Sequence, residues 1–231
     1  MSSSAPEVIS QTYCNTLKAP NIMNGVNAHS RNAALSCLIQ RVSSCLTCPR
    51  MEGRTRVFGA SNGSLESRIL FIAEAPGRLG ADINGRPLSG DQTGRNFQQL
   101  LEASGVQREE LFLTNAVLCN PRDIAGRNST PTRKEILNCS AHLRETIEIV
   151  QPLYVVSLGR IALQALDIIE SHSATLKEDV GKCIVWYGRW LMPLYHPGPR
   201  SRIHRSTAQQ QEDFQNLFQL TGRRKTVQSS F

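Results

Sequence analysis

Residues 68–94 read RILFIAEAPGRLGADINGRPLSGDQTG. Five consecutive apolar residues, Ile69 to Ala73, run into one carboxylate, Glu74, and then a Pro-Gly turn. A short apolar run bounded by turn signals is what a strand buried on both faces looks like. The loop that follows is rich in glycine, so its backbone can approach a ligand closely. A single acid delivered to a strand end beside such a loop is a common way to build a site. It is also a common way to build an ordinary turn, so the rest of the chain has to decide.

Downstream, the same alternation repeats. TGRNFQQLLEASGV (93–106) puts Phe97, Leu100 and Leu101 at helical spacing, with Gly105 as the C-terminal cap. LFLTNAVLC (111–119) reads as a second strand. A loop, NPRDIAGRNSTPT, leads to a helix over 133–150, capped by Thr130 or Thr132 with Pro131 at its start. LYVVSLG (153–159) is a third strand, RIALQALDII a further helix, and CIVWYGRWLMPLYHP (183–197) a hairpin or two strands. STAQQQEDFQNLFQLTG closes the domain as a helix capped by Ser206 and stopped by Gly222. Strands alternating with helices give an α/β domain around a largely parallel sheet. Ligands in such sheets sit at the carboxyl ends of the strands, where Glu74, Asn115 and His196 all lie.

The chain has 231 residues, which suits one generous domain with terminal extensions. Residues 1–30 lack periodicity and read as a flexible arm, residues 31–222 as the domain, beginning with a helix over 31–48, and residues 223–231 as a basic, solvated tail. No apolar run reaches the roughly 20 residues needed to cross a bilayer, and the start has no secretory pattern. A cytoplasmic, nucleoid-associated monomer is the expectation. The net charge is +7 and the pI about 9.3, a balance that favours anionic partners such as nucleic acid. Arg200, Arg202 and Arg205 surround His204 in one short loop.

Seven cysteines in a chain with no secretory signal argue against a disulfide framework. Cys45 and Cys48 form a CxxC, Cys119 follows the second strand, and Cys139 falls on the next helix. Four thiolates with one tight pair suit tetrahedral zinc or an iron–sulfur cluster, and spacing alone does not choose. The bland alternative is a chance CxxC and two apolar fillers. Cys14, Cys37 and Cys183 read as ordinary thiols.

Several of these features occur in a characteristic order: the CxxC, AEAPG at 73–77, GRPLSG at 85–90, TNAVLCNP at 114–121, Cys139, and YHPGP at 195–199. The ordered set resembles the iron–sulfur uracil-DNA glycosylases, the bacterial and archaeal families numbered four and five, over roughly residues 40–220. The resemblance implies a three-layer α/β/α sandwich and a [4Fe–4S] cluster on Cys45, Cys48, Cys119 and Cys139, with zinc as the alternative. The cluster is expected to be structural, pinning the 119–139 loop to the CxxC. The partner implied is DNA carrying uracil or another deaminated base, cut at the N-glycosidic bond.

That chemistry asks for particular groups. Breaking N1–C1′ gives an oxocarbenium-like sugar and an anionic uracil, so the base must first leave the stack. A donor is needed at uracil O2, and an anion or oriented water beyond the sugar. Glu74 is the carboxylate, His196 the O2 donor, and Asn115 the amide that pairs with O4 and N3–H and rejects cytosine. Ala75, Gly77 and Gly90 offer backbone amides, and Asp91 is a secondary catalytic candidate. Arg200, Arg202, His204 and Arg205 would meet the DNA, making binding fall with salt.

The chain also departs from the family. Leu88 stands where the family-four enzymes place an aromatic residue that stacks on uracil, a contact worth roughly 1–3 kcal/mol. The leucine is expected to weaken uracil binding or admit another base, unless Phe58, Phe71 or Trp186 substitutes. An Arg-Ile-His stretch, Arg202 to His204, matches the loop of a branch that traps uracil covalently, but follows the histidine motif where that branch has it before. A damaged-DNA binder of the same fold, non-catalytic or covalently trapping, is therefore the alternative reading.

Overall fold

The β1 strand, Ile69–Ala73, is buried along its whole length. Ile69, Phe71 and Ala73 belong to one core and Leu70 and Ile72 to another, as a strand with a helical layer on each face requires. The computed structural model describes residues 28–222. The predicted arm and basic tail therefore lie mostly outside the described residues, although helix α1, Ala28–Ser43, begins inside the stretch read as arm. Helix α1 also stops short of the CxxC, which sits in an extended loop.

The sheet has five strands in the order β2-β1-β3-β5-β4, with β2 at Phe112–Asn115, β3 at Tyr154–Leu158, β4 at Ile184–Trp186 and β5 at Arg189–Leu194. The first four in that order are parallel, and β4 joins as an antiparallel edge through a hairpin. Registry places Ile72 between Thr114 and Ser157, and Ala73 beside Asn115. Because β1 and β3 are central, the segments after β2 and β5 rise on opposite flanks of the strand ends.

One face is covered by α1, by α4 (Arg133–Val150) and by α5 (Arg160–Ile169), with Leu38, Val42, Leu143, Ile147 and Leu166 among the packed residues. The other is covered by α3 (Gln92–Ala103) and α7 (Thr207–Leu220). There Phe71, Phe97, Phe214 and Phe218 form an aromatic cluster in which Phe71 and Phe97 meet edge-on at 5.5 Å. The short helices α2 (Ala81–Asn84) and α6 (Leu176–Asp179) sit in the loops. This is the expected α/β/α sandwich. No helix among the described residues is long and apolar enough to cross a membrane.

The caps follow the sequence, with one adjustment. Thr132 caps α4 and accepts from the Glu135 amide, while Glu135 returns a bond to the Thr132 amide. Pro131 consequently precedes the cap and does not open the helix. Ser206 caps α7, and Gly105 and Gly222 turn left-handed just beyond their helices, as expected.

Candidate functional site

A cavity of about 560 Å³ opens at the carboxyl ends of the parallel strands. Glu74 after β1, Asn115 at the end of β2, Gly159 and Arg160 at the start of α5 after β3, and His196 after β5 all line it. Ala75, Gly77, Leu88 and Asp91 from the glycine loop complete much of the wall. Three separate strand ends thus deliver the three side chains singled out in the sequence to one place, and the end of β3 adds Gly159 and Arg160. Gly90 lies on a neighbouring cleft, packed against Gly80.

Asn115 is 2% exposed, and its side-chain nitrogen has no hydrogen-bond partner among the described residues. A buried, unpaired amide costs about 1–3 kcal/mol, and this one belongs to a residue on the cavity wall, where a ligand can supply the missing partner. His196 is held by its own chain. The Gly198 amide donates to Nδ1 at 3.0 Å, so in the neutral ring the proton sits on Nε2. Burial pushes the imidazole down to about 4, with the Asp91 charge pulling weakly the other way. At neutral pH His196 is thus an uncharged Nε2–H donor. Gly198 is required here, since a Cβ on it would stand 2.8 Å from Nδ1.

Glu74 is half-buried. Burial raises its pKa above the ordinary 4.5 and the Arg160 guanidinium draws it back down. The α5 N-terminus, where Gly159 and Arg160 line the same cavity, favours negative charge at this end of the sheet. Asp91 has a structural duty: it caps α3, with Oδ1 accepting from the Gly94 amide at 2.9 Å. Its other oxygen faces Gly77 so closely that a Cβ there would lie 2.3 Å away. The glycine at 77 thus exists to let the loop pass over this carboxylate.

The DNA-side candidates separate. Arg200 lines the cavity, whereas Arg202 and His204 are exposed outside it. Arg205 is committed to the buried Asp213 carboxylate through Nε at 3.0 Å and Nη2 at 2.5 Å, and so anchors α7 to its loop. His204 lies against the Tyr195 ring, with centroids 6.1 Å apart. Ile203, between them, is 84% exposed.

Leu88 lines the cavity as a buried residue with φ of +47°. The aromatics expected to replace a stacking ring are elsewhere. Phe58 and Trp186 belong to one core, Phe71 to the other, and Trp186 donates to the Glu170 carbonyl. The aromatic wall residue is Tyr195, next to His196 in the YHPGP motif, a position that sequence reading passed over. It also passed over Asn120, which donates to the Pro76 carbonyl at 2.6 Å and to Asn128 at 3.0 Å. Arg122 ties Asn120 to Asp82, and Asp82 accepts from the Thr55 amide, so the glycine loop is fastened to the 120–128 loop. The Asn-Pro after Cys119 was the available signal.

The four cysteines gather at one end of this network. Burial raises the Cys119 thiol to about 11 and the Cys139 thiol to about 12, and nearby Cys45 and Cys48 add to both. Among the described residues no three His, Cys, Asp or Glu side chains are placed to hold a metal ion. The four thiols lie close enough to influence one another's ionisation. Two donors point at their sulfurs: Asn138 donates to Cys48 Sγ at 3.2 Å and the Leu118 amide to Cys139. Arg56 holds the Cys45 carbonyl, and Arg50, two residues past the CxxC, pairs with Glu135 on α4 at 2.6 Å. Cys37 is exposed and Cys183 buried, and Cys14 lies outside the described residues.

Comparison with known proteins places the chain. The model of the uracil DNA glycosylase superfamily matches residues 60–220. A type-4 uracil-DNA glycosylase of Thermotoga maritima is 33% identical over 170 residues, covering 73% of this chain and 84% of that protein. One from Archaeoglobus fulgidus is 26% identical, over 83% and 96% of the two chains. A type-5 uracil-DNA glycosylase of Pyrobaculum aerophilum is 27% identical, over 77% and 88%.

Proposed function

The chain belongs to the uracil DNA glycosylase superfamily, and we propose that it is a monofunctional uracil-DNA glycosylase that hydrolyses the N-glycosidic bond of an extrahelical deoxyuridine in base excision repair. The observation that carries this reading is the pairing, in one cavity, of an unpartnered buried Asn115 amide with an uncharged His196 donor and a desolvated Glu74 carboxylate.

Each group has a task in the reaction. The Asn115 amide gives a hydrogen to uracil O4 and accepts one from N3–H, the pattern that cytosine reverses. As N1–C1′ breaks, its electron pair passes into the uracil ring and charge grows on O2. The Nε2–H of His196 donates to that oxygen, and a neutral imidazole does so without transferring its proton. Glu74 stabilises the cationic sugar and orients the water that adds to C1′, whose proton leaves through the carboxylate. The Tyr195 ring offers a π-face near the base, in part replacing the stacking that Leu88 lacks.

Arg200 on the cavity wall and the exposed Arg202 and Ile203 beyond it follow β5, as a DNA-facing edge would. Cys45, Cys48, Cys119 and Cys139 would hold a [4Fe–4S] cluster, whose contribution is to fasten the CxxC, the post-β2 loop and α4 together. The sulfur-directed donors and clustered thiols support that assignment over chance cysteines.

The test is cleavage of end-labelled oligonucleotides carrying one uracil, hypoxanthine or xanthine, with and without alkali. Alkali-dependent cutting at uracil is expected. Cutting only at a purine would relocate the substrate, and binding without cutting at any base would leave a non-catalytic reader.

A further inference from the structure

Arg108 is a buried cation whose hydrogen-bond partners are carbonyls and not a carboxylate. It is 9% exposed, sits in the turn between α3 and β2, and forms no ion pair among the described residues. Its guanidinium instead donates to two successive carbonyls, Leu88 at 3.2 Å through Nη1 and Pro87 through Nη2. Burial and the nearby Arg86 lower it to about 10, so it is still charged at neutral pH. Burying a guanidinium among carbonyls is costly, and an apolar side chain would fill the space more cheaply.

What it holds is the left-handed residue of the cavity wall. Leu88 carries φ of +47°, a conformation that a γ-branched residue adopts only when its surroundings impose it. From the other side Gly94 closes on the same peptide, where a Cβ would come within 3.0 Å of the Leu88 carbonyl and 2.7 Å of Ser89 Cα. The Leu88 peptide is thus gripped between the first turn of α3 and the Arg108 fork. Leu88 lines the cavity that Asn115 and His196 share. A two-donor planar fork fits two adjacent carbonyls in a way that an ammonium does not.

We propose that Arg108 is a positioning residue for base discrimination, fixing Leu88 in its strained conformation so that the cavity wall has one shape. This rests on the glycosylase reading of the cavity. With the fork removed, Leu88 relaxes and the wall no longer excludes a base of the wrong size.

The test compares single-turnover excision of uracil and hypoxanthine by wild type, Arg108→Met, Arg108→Lys, Leu88→Gly and the Arg108→Met/Leu88→Gly double variant. Arg108→Met is expected to lower the uracil-to-hypoxanthine ratio about tenfold, with Arg108→Lys in between. In the Leu88→Gly background the ratio is expected not to change further, since glycine takes φ of +47° unaided. A ratio equal to wild type in Arg108→Met, or an equal effect with and without Leu88, would overturn the proposal. Should Arg108→Met not fold, the Lys variant alone decides: an unchanged ratio refutes, a partial fall supports. If wild type excises neither base, the glycosylase reading itself fails, a separate outcome.

Discussion

Replacing Asn115 by leucine sets stability against function at one atom. The Asn115 nitrogen is buried and unpaired in the free protein, a state that costs about 1–3 kcal/mol. Leucine is close in size and removes the orphan donor, so the free protein should gain about that amount. For a domain of this length a gain of 1 kcal/mol raises Tm by roughly 2–4 °C, so the expected rise is about 2–12 °C. Uracil excision should fall for the same reason. Two base contacts vanish, each worth about 0.5–1.5 kcal/mol, and the uracil O4 and N3–H enter the cavity unsatisfied. A total of about 3–5 kcal/mol corresponds to a loss of roughly 10²- to 10⁴-fold in single-turnover rate. Thermal melting and excision by the same preparation provide both readings. A melting point lower than wild type would show the amide to be structural, and excision within threefold of wild type would show that it does not read the base.

Other perturbations probe the remaining parts. Gly198→Ala places a Cβ against His196 Nδ1, and should cut the excision rate by about 10- to 100-fold with little change in DNA affinity, measured by anisotropy with an abasic-site duplex. The acid limb of the pH–rate profile should follow Glu74. Its carboxylate is the working form, its folded pKa lies above 4.5, and activity is therefore lost as pH falls through that raised value. His196 stays uncharged down to about pH 4, so no inflection is expected near 6.5. The same burial makes the folded protein hold the Glu74 proton more tightly than the unfolded chain does. Glu74→Gln should accordingly melt higher than wild type at pH 7, with the difference shrinking toward pH 4. If the proposed cluster is present, protein purified without air should carry iron and a broad absorbance near 400 nm, and Cys139→Ser should remove both and lower the melting point.

Much of this was legible because the chemistry and the fold use the same sequence signals. The ILFIA run ending in Glu74 read as a buried strand, the alternation of strands and helices implied a largely parallel sheet, and that topology put Asn115 and His196 at the same end of it. Helix caps at Thr132 and Ser206 were visible because their partners lie three residues away. What stayed hidden depends on long-range partners. Arg205 sits among DNA-facing residues in sequence, yet Asp213 one helix away claims it. Asp91 reads as a free acid until the start of α3 is seen to need a cap. The Asn120–Arg122–Asp82 tie spans about forty residues, and no local pattern announces it. Arg108 was equally silent, because nothing in REE shows that two carbonyls twenty residues upstream wait for it.

The central claim is that Glu74 and His196 act on the bond and do not merely hold the fold or the DNA. The most direct measurement is single-turnover uracil excision by wild type, Glu74→Gln and His196→Ala, each matched with its affinity for an abasic-site duplex. The expected result is a loss of at least about 10²-fold in rate for both variants at near-constant affinity. Retained excision in either variant, or rate and affinity falling together, would contradict the assignment.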